Sequence, residues 1–321
     1  MKISRELSVK VEADLGLNLQ FVKGQRIPVR NCWHFSTDGN AVDMMFYDAE
    51  DFRCGMNRIY TVLYRYPVII LAFSLMDTHL HFILYGELSS CEQFVREYVR
   101  RTSMHINFRH KDIKKLVDIP IHHQVIDDDL YLKTAICYVV KNAPVGGLNY
   151  NAYDYPWSSG ALYFRKEGIW TSPSWTFAGR TVDADTLSVR EYRERLNTKE
   201  SIRENIVLID GIVFPGEYVA YEVVEKIFRT CKSYNFFLCR SKEDDIESRG
   251  AILSRASIPM QEMRQNRISL CQELFGDGCL KKLSASQRLK LARVLKARYG
   301  SSSRQIARLC GLVYKEVADF F

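Results

Sequence analysis

The stretch Val68-Ile-Ile-Leu-Ala-Phe-Ser-Leu-Met76 is almost wholly apolar and rich in β-branched and large side chains. It reads as a strand buried on both faces. Asp77-Thr78 follows as a turn, and His79-Leu-His-Phe-Ile-Leu-Tyr85 reads as a second strand with histidines in alternation. This pair of segments commits the chain to a sheet core. Because strand side chains alternate with period two, His79 and His81 share one face and Leu80 and Phe82 the other.

Helical patterns follow. From Ser89 to Arg109, the apolar residues Phe94, Val95, Tyr98 and Val99 recur between Arg96, Arg100 and Arg101, which predicts an amphipathic helix. Ser90 with Gln93 has the spacing of a capping box. Asp127-Asp-Asp129 opens another helix, where acids suit the positive helix end, and this helix is expected to run to about Asn142 and stop before Pro144 and Gly146-Gly147. Further on, Glu191 to Arg195 reads as a polar surface helix or linker. Ile206 to Phe214 reads as a short hairpin around Asp210-Gly211, and Val219 to Phe228 as a helix. This middle region shows no catalytic cluster and is read as a structural connector or small accessory domain.

Charge marks off the end of the chain. Lys281 to Phe321 holds ten lysines and arginines against Glu316 and Asp319. That net of +8 leaves the other 280 residues at −1, for a total of +7. Ser284 with Gln287 has capping-box spacing, and Leu291, Val294 and Leu295 form an apolar stripe. A second short helix over 303–309 and a third over 314–320 would bury Ile306, Leu309, Val313 and Val317. Short helices across a glycine-containing turn in a basic segment predict a helix-turn-helix. A basic hairpin packed on the main body or on another subunit is the alternative. The expected domains are therefore 1–165, an accessory or linker region 166–280, and a basic helix-turn-helix at 281–321.

The composition, 47% hydrophobic and 26% charged over 321 residues, is that of a folded globular protein. Nine scattered cysteines without a CxxC pair argue against a zinc ribbon or a disulfide framework. The longest apolar run is half a membrane span, and the first residues lack an apolar core of signal length. A soluble protein of a reducing compartment, without a membrane partner, is the expectation.

Two weak signals carry chemistry. Two neutral imidazoles at His79 and His81 can hold one divalent ion, although such pairs also occur as ordinary half-buried polar residues. Tyr138 and Asn142 lie four apart on the candidate helix and share a face. Asn142 offers a carbonyl oxygen that a hard cation accepts, and Tyr138 offers a phenol that can act as a nucleophile. A tyrosine in such a place is more often core. His34, beside Trp33, reads as structural, and so does Trp157. His122 and His123 read as a surface loop, Cys137 as core, and His105 and His110 show no identifiable partner.

Three motifs taken together change the weight of these signals. Ser74-Leu-Met-Asp-Thr-His-Leu-His-Phe-Ile-Leu84, the helix with Tyr138 and Asn142, and Asp154-Tyr-Pro-Trp-Ser-Ser159 resemble the IS200/IS605-like HUH single-tyrosine transposases. The branch they resemble most is the repeat-associated tyrosine transposases. Trp33-His-Phe-Ser-Thr-Asp-Gly-Asn40, with Phe46 and Asp51 after it, is similar to the family's opening strand and first helix. Gln124-Val-Ile-Asp-Asp-Asp129 is similar to the segment before its tyrosine helix. The resemblance spans about residues 20–165, roughly half of the chain.

The resemblance implies an α+β, ferredoxin-like core with an antiparallel sheet and packed helices, followed by the mostly helical C-terminal region. It implies His79, His81 and Asn142 as ligands of Mg²⁺ or Mn²⁺ and Tyr138 as nucleophile. It also implies a homodimer, a single-stranded DNA substrate with a hairpin beside the cleavage site, and a 5′-phosphotyrosine intermediate. A cytoplasmic, nucleoid-associated bacterial protein follows from the same likeness. Arg96, Arg100, Arg101, Arg109 and Lys111 are candidates for phosphate contacts, with a solvated helix face as the competing reading. Arg304, Arg308 and Lys315 are candidates for contact with duplex DNA through the C-terminal segment. The sequence departs from the family pattern in the acid of Gly39-Asn-Ala-Val-Asp43, and in Asn142-Ala-Pro-Val-Gly-Gly147, which lacks the family's arginine. The stretch before Asp127 is also short. These departures spare the metal and nucleophile positions and bear on target recognition. Two rival readings remain: a domesticated DNA-binding regulator without catalysis, and a metal-dependent phosphoesterase that does not use Tyr138.

Overall fold

The computed structural model describes residues 5–19, 25–39, 44–110, 116–145, 150–164, 181–199, 206–240, 260–299, 306–307 and 309–312. The chain divides into two compact units, Met1–Ala143 with Tyr150–Ile252, and Pro144–Asn149 with Leu253–Phe321.

The first unit is built on a four-stranded antiparallel sheet of β1 (Cys32–Thr37), β2 (Ile69–Leu75), β3 (Leu80–Tyr85) and β4 (Ile121–Val125), in the order β2-β3-β1-β4. The long apolar run forms β2, and every residue of β2 and β3 is buried, so both faces are covered. The connections use α2 (Ala49–Leu63) between β1 and β2, and α3 (Leu88–His110) between β3 and β4. This β-α-β-β-α-β order over an antiparallel sheet is consistent with a ferredoxin-like core. A helix α1 (Arg5–Asp14) precedes the sheet and α4 (Asp129–Val145) follows it.

Register decides what each face carries. Ser36 stands opposite His81, His34 opposite Ile83, and Phe35 opposite Phe82. Phe82 meets Phe94 and Tyr98 of α3 edge-on, at 5.4 and 5.5 Å between centroids, so α3 covers the phenylalanine face. Tyr138 of α4 meets His34 and His81, so α4 covers the histidine face. Asp128 caps α4 by accepting from the Tyr131 N–H at 2.7 Å.

Residues 206–238 pack into this same core. Val207–Ile209 (β6) and Ile212–Val213 (β7) form the hairpin expected around Asp210-Gly211, paired at its far side with β5 (Thr181–Asp183). Both turn residues have positive φ, +52° and +80°, the geometry of a type I′ turn. Asn57 of α2 ties the hairpin down. Its amide donates to the carbonyls of Gly211 and Arg195, and its oxygen accepts from the Val213 N–H at 2.8 Å. A short helix α5 (Val189–Leu196) carries a capping box between Ser188 and Glu191. Helices α6 (Tyr221–Phe228) and α7 (Cys231–Arg240) complete the unit.

The second unit holds α8 (Met260–Phe275) and α9 (Ala285–Tyr299). Met263, Leu270 and Cys271 of α8 share a core with Leu291 and Leu295 of α9 and with Ile306, Leu309 and Cys310. The Ser284–Gln287 capping box forms in both directions, at 2.9 and 3.3 Å. The expected third helix lies outside the described residues, as do Arg304, Arg308, Lys315 and, in the first unit, Lys111.

Three local expectations differ from the structure. Helix α3 begins at Leu88, so Ser90 and Gln93 lie within it instead of capping it. Helix α4 continues through Pro144 to Val145, beyond the expected stop at Asn142. His122 and His123 lie on the edge strand β4, held there by long-range pairing to Ser36 and Phe35, and not in a loop.

Candidate metal centre and its surroundings

The topology gathers residues from four places. His34 comes from β1, His79 from the turn before β3, His81 from β3, and Tyr138 and Asn142 from successive turns of α4. The Nε2 atom of His79 lies 2.9 Å from Asn142 Oδ1, and its Nδ1 lies 3.0 Å from the Thr78 hydroxyl. The Nδ1 atom of His81 lies 3.1 Å from His34 Nε2. The His81 ring stands edge-on to His79 and to Tyr138, at 5.0 and 5.5 Å between centroids. His34, His81, Tyr138 and Asn142 are all buried, while His79 is half-buried. Gly39 closes the wall beside it: a Cβ there would stand 3.0 Å from His79 Nδ1.

Burial sets the charge of these rings. It lowers the pKa of His34 to about 4 and that of His79 below its ordinary value, where the Asn142 hydrogen bond partly opposes it. His81 is pushed well down by burial and by its two imidazole neighbours. All three are therefore neutral at pH 7, the state in which an imidazole ligates a metal. The fit to a cation is tested by unsatisfied atoms. Among the described residues, His81 Nε2 is buried with no hydrogen-bond partner, and so is His34 Nδ1. His79 Nε2 and Asn142 Oδ1 already point at one another. Two imidazole nitrogens and one carbonyl oxygen are a mixed donor set that a divalent transition-metal ion can accept.

A second group was not legible in the sequence. Asp48, Asp51 and His110 place ligand atoms within 4.8 Å of one another, a donor set able to hold a divalent metal and consistent with a metal-dependent, nuclease-like site. Asp48 caps α2 by accepting from the Asp51 N–H, and Asp51 accepts from the Tyr47 N–H and from His110 at 2.7 Å. Arg109 donates to both carboxylates, and its guanidinium holds Asp48 down at about 2. An ion entering here would have to displace that guanidinium. Asp48 and Asp51 sit three apart at a helix start, which the sequence shows. Their pairing with Arg109 and His110 at the far end of α3 spans about sixty residues and leaves no local signal.

The arginines proposed for phosphate contact lie elsewhere. Arg96, Arg100, Arg101 and Arg109 belong to α3, on the sheet face opposite the histidines. Arg100 and Arg101 both donate to Glu97. Trp157 packs as expected, stacked on Phe52 at 5.1 Å between centroids. Its backbone oxygen accepts from the Leu75 N–H, and Tyr155 and Tyr163 donate to the Leu75 and Leu71 carbonyls, so residues 155–163 line the outer edge of β2. Cys137 is buried in the core and its thiol is raised by that burial.

No protein-family model matches the chain, and no curated protein does. Among solved structures, a repeat-associated tyrosine transposase bound to a REP hairpin is 15% identical, with a TM-score of 0.35, over 49% of this chain and 91% of that one. Among the described residues no helix is long and apolar enough to cross a membrane.

Proposed function

We propose that the first unit is a metal-dependent, HUH-type tyrosine nuclease and strand transferase acting on single-stranded DNA beside hairpins. The observations that carry this reading are the His79 Nε2–Asn142 Oδ1 contact and the His81 ring edge-on to both His79 and Tyr138, with His81 Nε2 unpartnered among the described residues. His79, His81 and Asn142 would hold Mg²⁺ or Mn²⁺, which when bound supplies Lewis-acid polarisation of a phosphate.

The chain's own groups do the rest. The Tyr138 hydroxyl oxygen would attack phosphorus and form a phosphotyrosine ester to the 5′ end of the downstream fragment. The 3′ oxygen would leave and take up a proton as a free 3′-hydroxyl. The phenolic proton would pass to solvent. The reverse attack by a 3′-hydroxyl would rejoin strands without ATP, because the ester conserves the bond. Duplex contacts through the second unit and assembly as a homodimer belong to the same proposal.

One observation favours a second reading. Tyr138 is only 5% exposed, as a core residue would be, which suits a DNA-binding regulator that keeps the fold without cleaving. Strand cleavage separates the two. Labelled single-stranded DNA carrying hairpins from the flanks of the gene, incubated with Mn²⁺, is expected to be cut by the native protein and by Asp48→Asn/Asp51→Asn where that variant folds. Tyr138→Phe and His79→Ala/His81→Ala should leave it intact. Hairpin binding without cleavage supports the regulator. Metal-dependent cleavage that survives Tyr138→Phe supports the phosphoesterase.

A further inference from the structure

We propose that His34 is a positioning residue that holds His81 in the tautomer able to ligate a divalent cation. The inference rests on the metal-site reading above and concerns a residue that the sequence presented as structural.

His34 Nε2 and His81 Nδ1 are 3.1 Å apart, so one proton lies between two buried rings. If His34 donates, His81 carries its proton on Nε2, and that atom has no lone pair for a metal. If His81 donates from Nδ1, its Nε2 carries the lone pair and is a ligand. Ring position makes Nε2 the atom concerned, since Nδ1 is already engaged. His81 Nε2 has no hydrogen-bond partner, and neither has His34 Nδ1. Either arrangement therefore leaves one buried N–H and one buried lone pair unsatisfied, a costly state in a core position where an apolar side chain would pack without that cost. A cation at His81 Nε2 relieves the lone pair in the second arrangement and cannot do so in the first.

His79 is served in the same way. The Thr78 hydroxyl stands at its Nδ1, at 3.0 Å, and leaves Nε2 facing Asn142. Each imidazole proposed as ligand thus has its Nδ1 held by a polar neighbour, the arrangement by which second-layer groups orient metal-bound histidines. His34 is fixed for this task. It lies on the central strand β1, fully buried, with its ring stacked on His81 and edge-on to Tyr138.

The test uses the full-length protein and Mn²⁺ alone, titrated by calorimetry. His34→Gln offers an amide oxygen at the reach of Nε2 and should keep affinity within about threefold. His34→Leu offers no acceptor and should weaken it by about 10–100-fold. Equal, native-like affinity in both variants overturns the proposal and leaves the metal site standing. Equal loss in both also overturns it, because packing alone then explains His34. Native binding that is absent, or indifferent to His79→Ala/His81→Ala, overturns the site and this proposal with it. Nitrogen-15 NMR of the native, metal-free protein decides the case should the leucine variant not fold. A proton on His81 Nδ1 is expected, and a proton on His81 Nε2 contradicts the proposal.

Discussion

His79 and Asn142 are 63 residues apart in the chain, yet His79 Nε2 and Asn142 Oδ1 lie within 2.9 Å. The β2–β3 turn delivers the first and the last turns of α4 deliver the second. Two groups proposed as metal ligands are thereby placed on one spot. Asn142→Leu should lower Mn²⁺ affinity at least tenfold while leaving the fold intact. Calorimetric titration checks this, and unchanged affinity would remove Asn142 from the site.

The Asp51 carboxylate is fully buried and binds Arg109, His110 and the Tyr47 backbone. Asp51→Ala strands the Arg109 guanidinium beside Asp48 alone and should destabilise the first unit by about 3 kcal/mol. Asp48, which is half-exposed, should cost about 1 kcal/mol as Asp48→Ala, chiefly through the lost helix cap. Urea unfolding of the two variants tests this ranking. Equal costs would show that the network is not centred on Asp51.

Glu97 receives Arg100 at 2.7 Å and Arg101 at 2.7 Å, and these bonds hold its carboxyl down at about 2. Its folded pKa lies below the unfolded one, so its stabilisation is fully present above about pH 4.5 and is lost as pH falls towards 2. Solvent screening at the half-exposed Arg100 reduces the effect to about 1 kcal/mol. Thermal melts between pH 5 and pH 2 should fall less steeply for Glu97→Gln than for the native protein. Parallel curves would contradict the assignment.

Asn57 is buried in α2 and makes three hydrogen bonds to the backbone of residues 195–213. Asn57→Leu leaves two carbonyls and one N–H without that partner and should cost about 3 kcal/mol. Limited proteolysis within the hairpin at 206–213 should accelerate in parallel. A neutral variant would mean that the hairpin docks through its apolar side chains alone.

How far the sequence could be read follows from the range of each interaction. β2 and β3 were legible because burial on both faces and period-two histidines are local patterns. The Asp210-Gly211 hairpin was legible for the same reason, since a type I′ turn has its own residue code. The edge strand at His122-His123 was not, because only Ile121 and Val125 at its two ends are β-branched and the polar residues between them are recruited by pairing with β1. The proximity of Tyr138 to His81 was an expectation from resemblance, and side-chain spacing within one helix shows only that Tyr138 and Asn142 share a face. The link from His34 to His81 depends on strand register, and the Asp48–Asp51–His110 group on the packing of α2 against α3. Neither leaves a trace within a local window.

Tyr138 is proposed to form a covalent bond with DNA. Single-stranded DNA carrying flanking hairpins and labelled at its 3′ end is mixed with the full-length protein and Mn²⁺ and resolved on a denaturing gel. A labelled protein band that Tyr138→Phe and His79→Ala/His81→Ala abolish is expected, with the adduct mapping to the peptide that contains Tyr138. Metal-dependent cleavage with no such band, or a band that persists in Tyr138→Phe, would contradict it.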